Sequence, residues 1–178
     1  MDTTRSDALL KLLEDKGIPA PTIEHPPVFT VEESRNLRGK IAGLHTKNLF
    51  LRDAKKNYFL FVTDEDAVID LKALGKQIGA RGRLSFGSAE ALREMLGIEP
   101  GSVSLLAVVN DTGHRVELLL DDRLGAASAV NCHPLVNSRT TSLSQEALAK
   151  FLAATGRIAR YVSLAAEKMS RVEPPHCR

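Results

Sequence analysis

The chain has 178 residues, of which 43% are hydrophobic and 26% charged; these values exclude a disordered or fibrous protein and are enough to build one sizeable core. A formal net charge of +2, 4% aromatic content and no Trp exclude a protein that coats nucleic acid with its whole surface or stacks RNA on aromatic platforms, so any nucleic-acid contact must be local. No apolar run approaches the ~20 residues that cross a bilayer. The N-terminus is charged and amphipathic with no secretory h-region, and two cysteines, Cys132 and Cys177, are too few for a disulfide framework, so the expected location is the cytoplasm.

Leu9, Leu10, Leu12 and Leu13, followed by Gly17, predict a first amphipathic helix. The stretch TIEHPPVF reads as extended, because Pro26 and Pro27 bias the residues before them away from the helical region. Thr30-Val31-Glu32-Glu33 then has the spacing of a capping box and predicts a short helix. Two apolar runs over 47–53 and 58–63, joined by Ala54-Lys55-Lys56-Asn57, predict a β-hairpin. Asp70 and Ser88 are N-caps of two further helices that stop at Gly79 and Gly97, with a short strand around Arg83 to Phe86 between them.

After Gly101, the runs Val103 to Val109 and Val116 to Leu120 around Asn110-Asp111-Thr112-Gly113 predict a second hairpin. A strand is expected near Ser128 to Cys132, a helix capped by Ser144, and a last short strand at Arg160 to Val162. No repeat or linker divides the chain, so residues 1–170 are expected to form one domain and 171–178 a frayed tail. The fold class is α/β in the α+β sense: a mixed, largely antiparallel sheet surrounded by four or five helices.

The chain contains no Walker A loop, GxGxxG, HExxH, GxSxG or CxxC. Its five histidines, His25, His45, His114, His133 and His176, lack the i, i+4 spacing of a helical metal site, so no metal is expected. Two polar blocks interrupt apolar hardware at loop-to-strand junctions: His45-Thr46-Lys47-Asn48 and Asn131-Cys132-His133-Pro134. On an extended strand His45 and Lys47 share a face while Asn48 points to the other. Spacing alone leaves Lys47 open as a solvated strand end and His133 as a structural histidine. Residues 32–56 carry a net charge of +4 against +2 for the whole chain. That stretch, with Arg35, Arg38, Lys40, Lys55 and Lys56, and the separate pair Arg81 and Arg83, could hold a phosphate backbone or form an ordinary solvated face.

The blocks EHPPVFTVEES, HTKNLFLRDAKKNYFLFV, FGSAEALREMLGIEPGSVSLLAVVND and VNCHPLVNSRTTSLSQEALAKFL resemble, in the same order, the YbaK/prolyl-tRNA synthetase-associated domain family over about residues 20–162. Within it, the similarity is to the freestanding bacterial editing proteins that deacylate alanyl-tRNA(Pro). The resemblance implies a hydrolase of the ester between a wrong amino acid and the terminal adenosine of tRNA, needing no metal or nucleotide cofactor. It implies catalytic roles for Lys47, Asn48, His133 and Gly101, the last being the first glycine of a GxxxP loop whose proline is here Leu105. It also implies a tight amino-acid pocket, for which Pro27, Phe29, Thr30 and Val31 are the candidate walls. The expected partner is the acceptor end of tRNA(Pro) carrying alanine, with transient association with prolyl-tRNA synthetase or elongation factor, and no membrane or DNA. The alternatives left open are editing of another small amino acid (Cys or Ser) and a tRNA- or synthetase-associated module without catalysis.

Overall fold

The computed structural model describes residues 3–27, 32–33 and 41–164. In chain order these form α1 (Thr4–Asp15), β1 (Thr22–Glu24), β2 (Leu44–Arg52), β3 (Tyr58–Asp64), α2 (Leu71–Ile78), β4 (Ser85–Phe86) and α3 (Ala89–Leu96). A 3-10 helix (Leu105–Asn110), β5 (Val116–Asp121), a second 3-10 helix (Asp122–Ala126), β6 (Ala129–Cys132), β7 (Arg139–Ser144), α4 (Gln145–Ala154) and β8 (Arg160–Val162) complete them. The helix limits follow from side-chain chemistry. Asp70 accepts hydrogen bonds from the amides of Lys72 and Ala73, Ser88 from Ala91 and Ser144 from Ala147, each satisfying an amide with no intrahelical partner. Gly79 and Gly97, at φ +73° and +64°, end α2 and α3 in the left-handed conformation that glycine adopts without penalty.

The strands form one mixed sheet in the order β1-β7-β6-β2-β3-β5-β8, with β4 also paired to β2. The pairs β1–β7, β7–β6, β2–β3 and β2–β4 are antiparallel; β2–β6, β3–β5 and β5–β8 are parallel. Alternation along the strands gives the sheet two faces. On one, Phe50, Leu60, Val62, Leu118, Leu120 and Val130 meet Leu9 and Leu13 of α1, Leu92 and Leu96 of α3, and Leu148 and Phe151 of α4. On the other, Leu51, Phe59, Phe61, Leu119 and Val162 lie against Leu74 and Ile78 of α2. Each such side chain contributes about 1.5–3 kcal/mol through burial. Among the described residues, no helix is long and apolar enough to cross a membrane.

Three expectations need correction. Residues Leu105 to Asn110 of the run predicted as a strand form a 3-10 helix. Leu105, Leu106, Ala107 and Val108 are all buried, so the run has no polar face for a half-buried strand to show, and the Ser104 hydroxyl starts the helix by accepting from the Leu106 amide at 3.2 Å. Consequently no second hairpin forms. The Asp111 carboxylate instead accepts from the Arg115 and Val116 amides and turns the chain into β5, which pairs in parallel with its neighbours. Finally, β7 was not expected, because Arg139-Thr140-Thr141-Ser142 is polar; its buried threonines sit between β1 and β6, where Thr141 and Thr22 share a hydroxyl hydrogen bond of 2.8 Å. Glu32 and Glu33 are helical, whereas Thr30, Val31, Cys177 and the tail 171–178 lie outside the described residues.

Candidate active site

β2 and β6 run side by side over two register pairs, Leu44–Val130 and His45–Asn131. Beyond them the Thr46 hydroxyl donates to the Asn131 carbonyl at 2.8 Å, after which β2 follows β3 and β6 follows β7. The strands therefore part where the two polar blocks sit, with His45 to Asn48 on one lip and Cys132-His133 on the other. The Asn131 side chain braces this junction by donating to the Ala42 carbonyl and accepting from the Ser142 hydroxyl.

Leu49 and Leu51 pack in the cluster under α2 while Phe50 packs on the opposite face. By alternation His45 and Lys47 share the α2 side and Asn48 lies across the strand, as the sequence predicts. A group resting against the open edge of β2 would thus be flanked by both. The Lys47 ammonium donates to the Ala67 carbonyl in the loop after β3. Its cross-strand partner Thr63 donates to Asp121 at 2.5 Å, and Arg123 grips both oxygens of that carboxylate. Burial pushes Asp121 upward, but the bonds from Arg123 and Thr63 outweigh it and hold the carboxyl below the usual aspartate range.

His133 Nδ1 lies 2.8 Å from the Arg139 carbonyl oxygen. A carbonyl only accepts, so Nδ1 carries the proton and Nε2 presents a lone pair. Burial lowers the pKa of His133, against the bond to Arg139; His25 and His45 lower it further and Glu65 opposes them. His25 stands with its ring centre 6.3 Å from that of His133, held by Thr140 at 2.8 Å, and the Glu65 amide donates to the His45 carbonyl. Two buried atoms here, His45 Nε2 and Asn48 Oδ1, have no hydrogen-bond partner among the described residues. Leaving such an atom unsatisfied costs about 1–3 kcal/mol, a cost that native folds tolerate where a ligand or reacting group completes the bond.

Gly101 adopts φ +92°, with open space where a side chain would stand. Three residues on, the Ser104 hydroxyl donates to the His133 backbone carbonyl at 2.5 Å, coupling this loop to the histidine. Leu105 is the first residue of the 3-10 helix and is fully buried. That is a position proline also suits, since its missing N–H and restricted φ are compatible with a helix start. Leucine keeps the turn and adds core packing, so burial anchors the loop in place of a pyrrolidine ring.

Of the remaining sequence candidates, Pro27 is exposed, whereas Phe29, Thr30, Val31, Arg35, Arg38 and Lys40 lie outside the described residues. Lys55, Lys56, Arg81 and Arg83 are not brought beside Lys47. They gather at the far end of the β2–β3 hairpin, where the Ala54 amide donates to the Arg81 carbonyl. Arg52, five residues along β2, is already about 17 Å from Lys47 at ~3.3 Å per residue. This tip is organised by buried Asp53. Burial works against its charge, yet bonds from the Asn57 side chain and the Asn57, Arg81 and Lys55 amides hold it down to about 2. Sequence reasoning gave no place at the site to His25, Glu65 or Ser104, and read His45 and Asn131 only as members of the two polar blocks.

A family model described as the aminoacyl-tRNA editing domain matches residues 25–151, a span that contains Lys47, Asn48, Gly101 and His133. The chain belongs to the aminoacyl-tRNA editing domain family. It is 39% identical over 165 residues to the prolyl-tRNA editing protein ProX of Acetoanaerobium sticklandii, covering 92% of this chain and 100% of that protein. It is 39% identical over 144 residues to prolyl-tRNA synthetase associated domain-containing protein 1 of Mus musculus, covering 79% of this chain and 85% of the relative. The crystal structure of a candidate trans-editing enzyme for prolyl-tRNA synthetase matches this editing domain with a TM-score of 0.67 at 20% identity, over 90% of this chain and 98% of that one, a likeness of fold.

Proposed function

We propose that this editing domain hydrolyses the ester of alanyl-tRNA(Pro), releasing alanine and free tRNA(Pro). The reading is supported by the end of the β2–β6 ladder: Lys47 and Asn48 follow it on one strand, His133 follows it on the other chain segment, Asn48 Oδ1 is buried with no partner among the described residues, and His133 Nε2 presents a lone pair. These groups have the chemistry that an ester and a water require. The Lys47 ammonium holds the terminal ribose-phosphate and stabilises negative charge on the carbonyl oxygen as it develops. Asn48 and the Gly101 backbone orient the ester. Water attacks the carbonyl carbon and passes a proton to His133 Nε2; collapse expels the ribose oxygen, which takes that proton back.

A proline-activating pocket cannot strongly reject a smaller amino acid, so the error must be removed by a second, smaller site. Purified protein is therefore expected to deacylate alanyl-tRNA(Pro) about 100-fold or more faster than prolyl-tRNA(Pro). Equal rates would overturn the sieve, and preference for seryl or cysteinyl esters would reassign the amino acid. Because His133 works neutral and burial depresses its pKa, kcat/KM should hold through neutrality. It should fall only on the acid side of the ordinary imidazole value of about 6.5. A pH profile of single-turnover rates tests this; His133→Ala should lower the plateau and remove the acid limb.

A further inference from the structure

Beside the proposed active site runs a groove of about 800 Å³ that the reaction leaves unassigned. It begins at Ile69, two residues after the Ala67 carbonyl that Lys47 holds, and passes along α2 toward Arg83. Ile69, Leu71 and Leu84 give it an apolar floor, while Lys72, Lys76 and Arg83 stand on its rim. Lys72 and Lys76 are exposed and one helical turn apart, so their ammonium groups project from the same side of α2. The acid in the groove, Asp70, is exposed and caps α2 through the Lys72 and Ala73 amides. Three cations therefore line the groove against one acid, and among the described residues Lys72, Lys76 and Arg83 have no anionic partner.

We infer that this groove takes the single-stranded 3′ end of the RNA, its bases lying on the apolar floor and its phosphates on Lys72, Lys76 and Arg83. A cationic rim that tracks the phosphates is one part of the arrangement that binds single strands; here aliphatic side chains, Ile69, Leu71 and Leu84, stand where such sites use aromatic rings. The groove also solves a problem of reach, because it leads from the Lys47 loop toward the hairpin tip, where Lys55, Lys56 and Arg81 stand clear of the site. The inference rests on the proposed function, since it supplies the path by which the terminal ester arrives at Lys47.

The test is K72E/K76E in the full chain, with K72A/K76A as the milder variant. Against alanyl-tRNA(Pro), K72E/K76E should raise KM at least about 10-fold with kcat within about twofold of wild type, while turnover of 3′-O-alanyl-adenosine stays unchanged. Binding of a short oligonucleotide ending in CCA should lose about 1.4 from its log–log salt slope, at ~0.7 per single-strand phosphate contact. An unchanged KM and slope, an equal loss on alanyl-adenosine, or capture of an acidic peptide in preference to the oligonucleotide would overturn the assignment. If the wild-type chain leaves every aminoacyl ester intact, the functional reading fails, and the oligonucleotide salt slope still decides the groove.

Discussion

Lys47→Ala is expected to lower kcat for alanyl-tRNA(Pro) hydrolysis by about 100- to 1000-fold, the range lost when one donor to a developing oxyanion is removed. The fold should persist, because the side chain is half-buried and its single described bond goes to a loop carbonyl. Circular dichroism and melting temperature within a few degrees of wild type would establish that. Lys47→Arg should recover little activity: a planar fork cannot place one compact charge where an ammonium stood. A folded Lys47→Ala protein with wild-type turnover would remove Lys47 from the mechanism.

Asp111→Ala is expected to be the most destabilising single change outside the apolar core. Arg157 pairs with Asp111 at 2.9 Å with both side chains almost wholly buried, and its guanidinium also donates to the carbonyls of Val108, Asp111 and Val116. Removing the carboxylate leaves a buried cation unpaired, at a cost of about 3–5 kcal/mol, a large share of the ~5–15 kcal/mol by which a domain is stable. The melting temperature should fall by on the order of 10 °C. Asp111→Ala/Arg157→Leu together should recover part of the loss. Burial raises the Asp111 pKa, but Arg157 and the Val116 and Arg115 amides bring it below the usual value. The pair's contribution is therefore complete above the ordinary aspartate pKa of about 3.9 and disappears as pH falls through the lower folded value. Wild-type protein should lose stability in that acid window, and the Asp111→Ala variant should show a flatter response, as urea titrations at stepped pH would reveal.

Local chemistry was legible in the sequence wherever one side chain decides the outcome. Asp70, Ser88 and Ser144 cap helices as their spacing predicts, and the β2–β3 hairpin forms around its polar turn. Failures arose where burial overrode pattern. Leu105 to Val108 has strand-like composition but is enclosed on every side, and Thr140 and Thr141 are polar residues hidden between strands. At the candidate site, Lys47 and His133 stand out in the sequence because each interrupts an apolar run. The pairing of their two blocks does not, since it is a parallel ladder between β2 and β6 made by residues more than 80 positions apart. Lys55 and Lys56 show the converse: a basic stretch contiguous with Lys47 in sequence is carried away from it by an extended strand.

The junction of β2 and β6 has an implication for how editing selectivity could change. One lip belongs to the ladder with β3 and the other to the ladder with β7, and two residue pairs fasten them together. Lengthening or shortening that fastening by a single pair would narrow or widen the mouth while leaving Lys47, Asn48 and His133 untouched. On the proposed reading, tolerance for a bulkier or slimmer acyl group would follow backbone zippering, adjustable at Thr46 and Asn131 without altering the side chains assigned to the reaction.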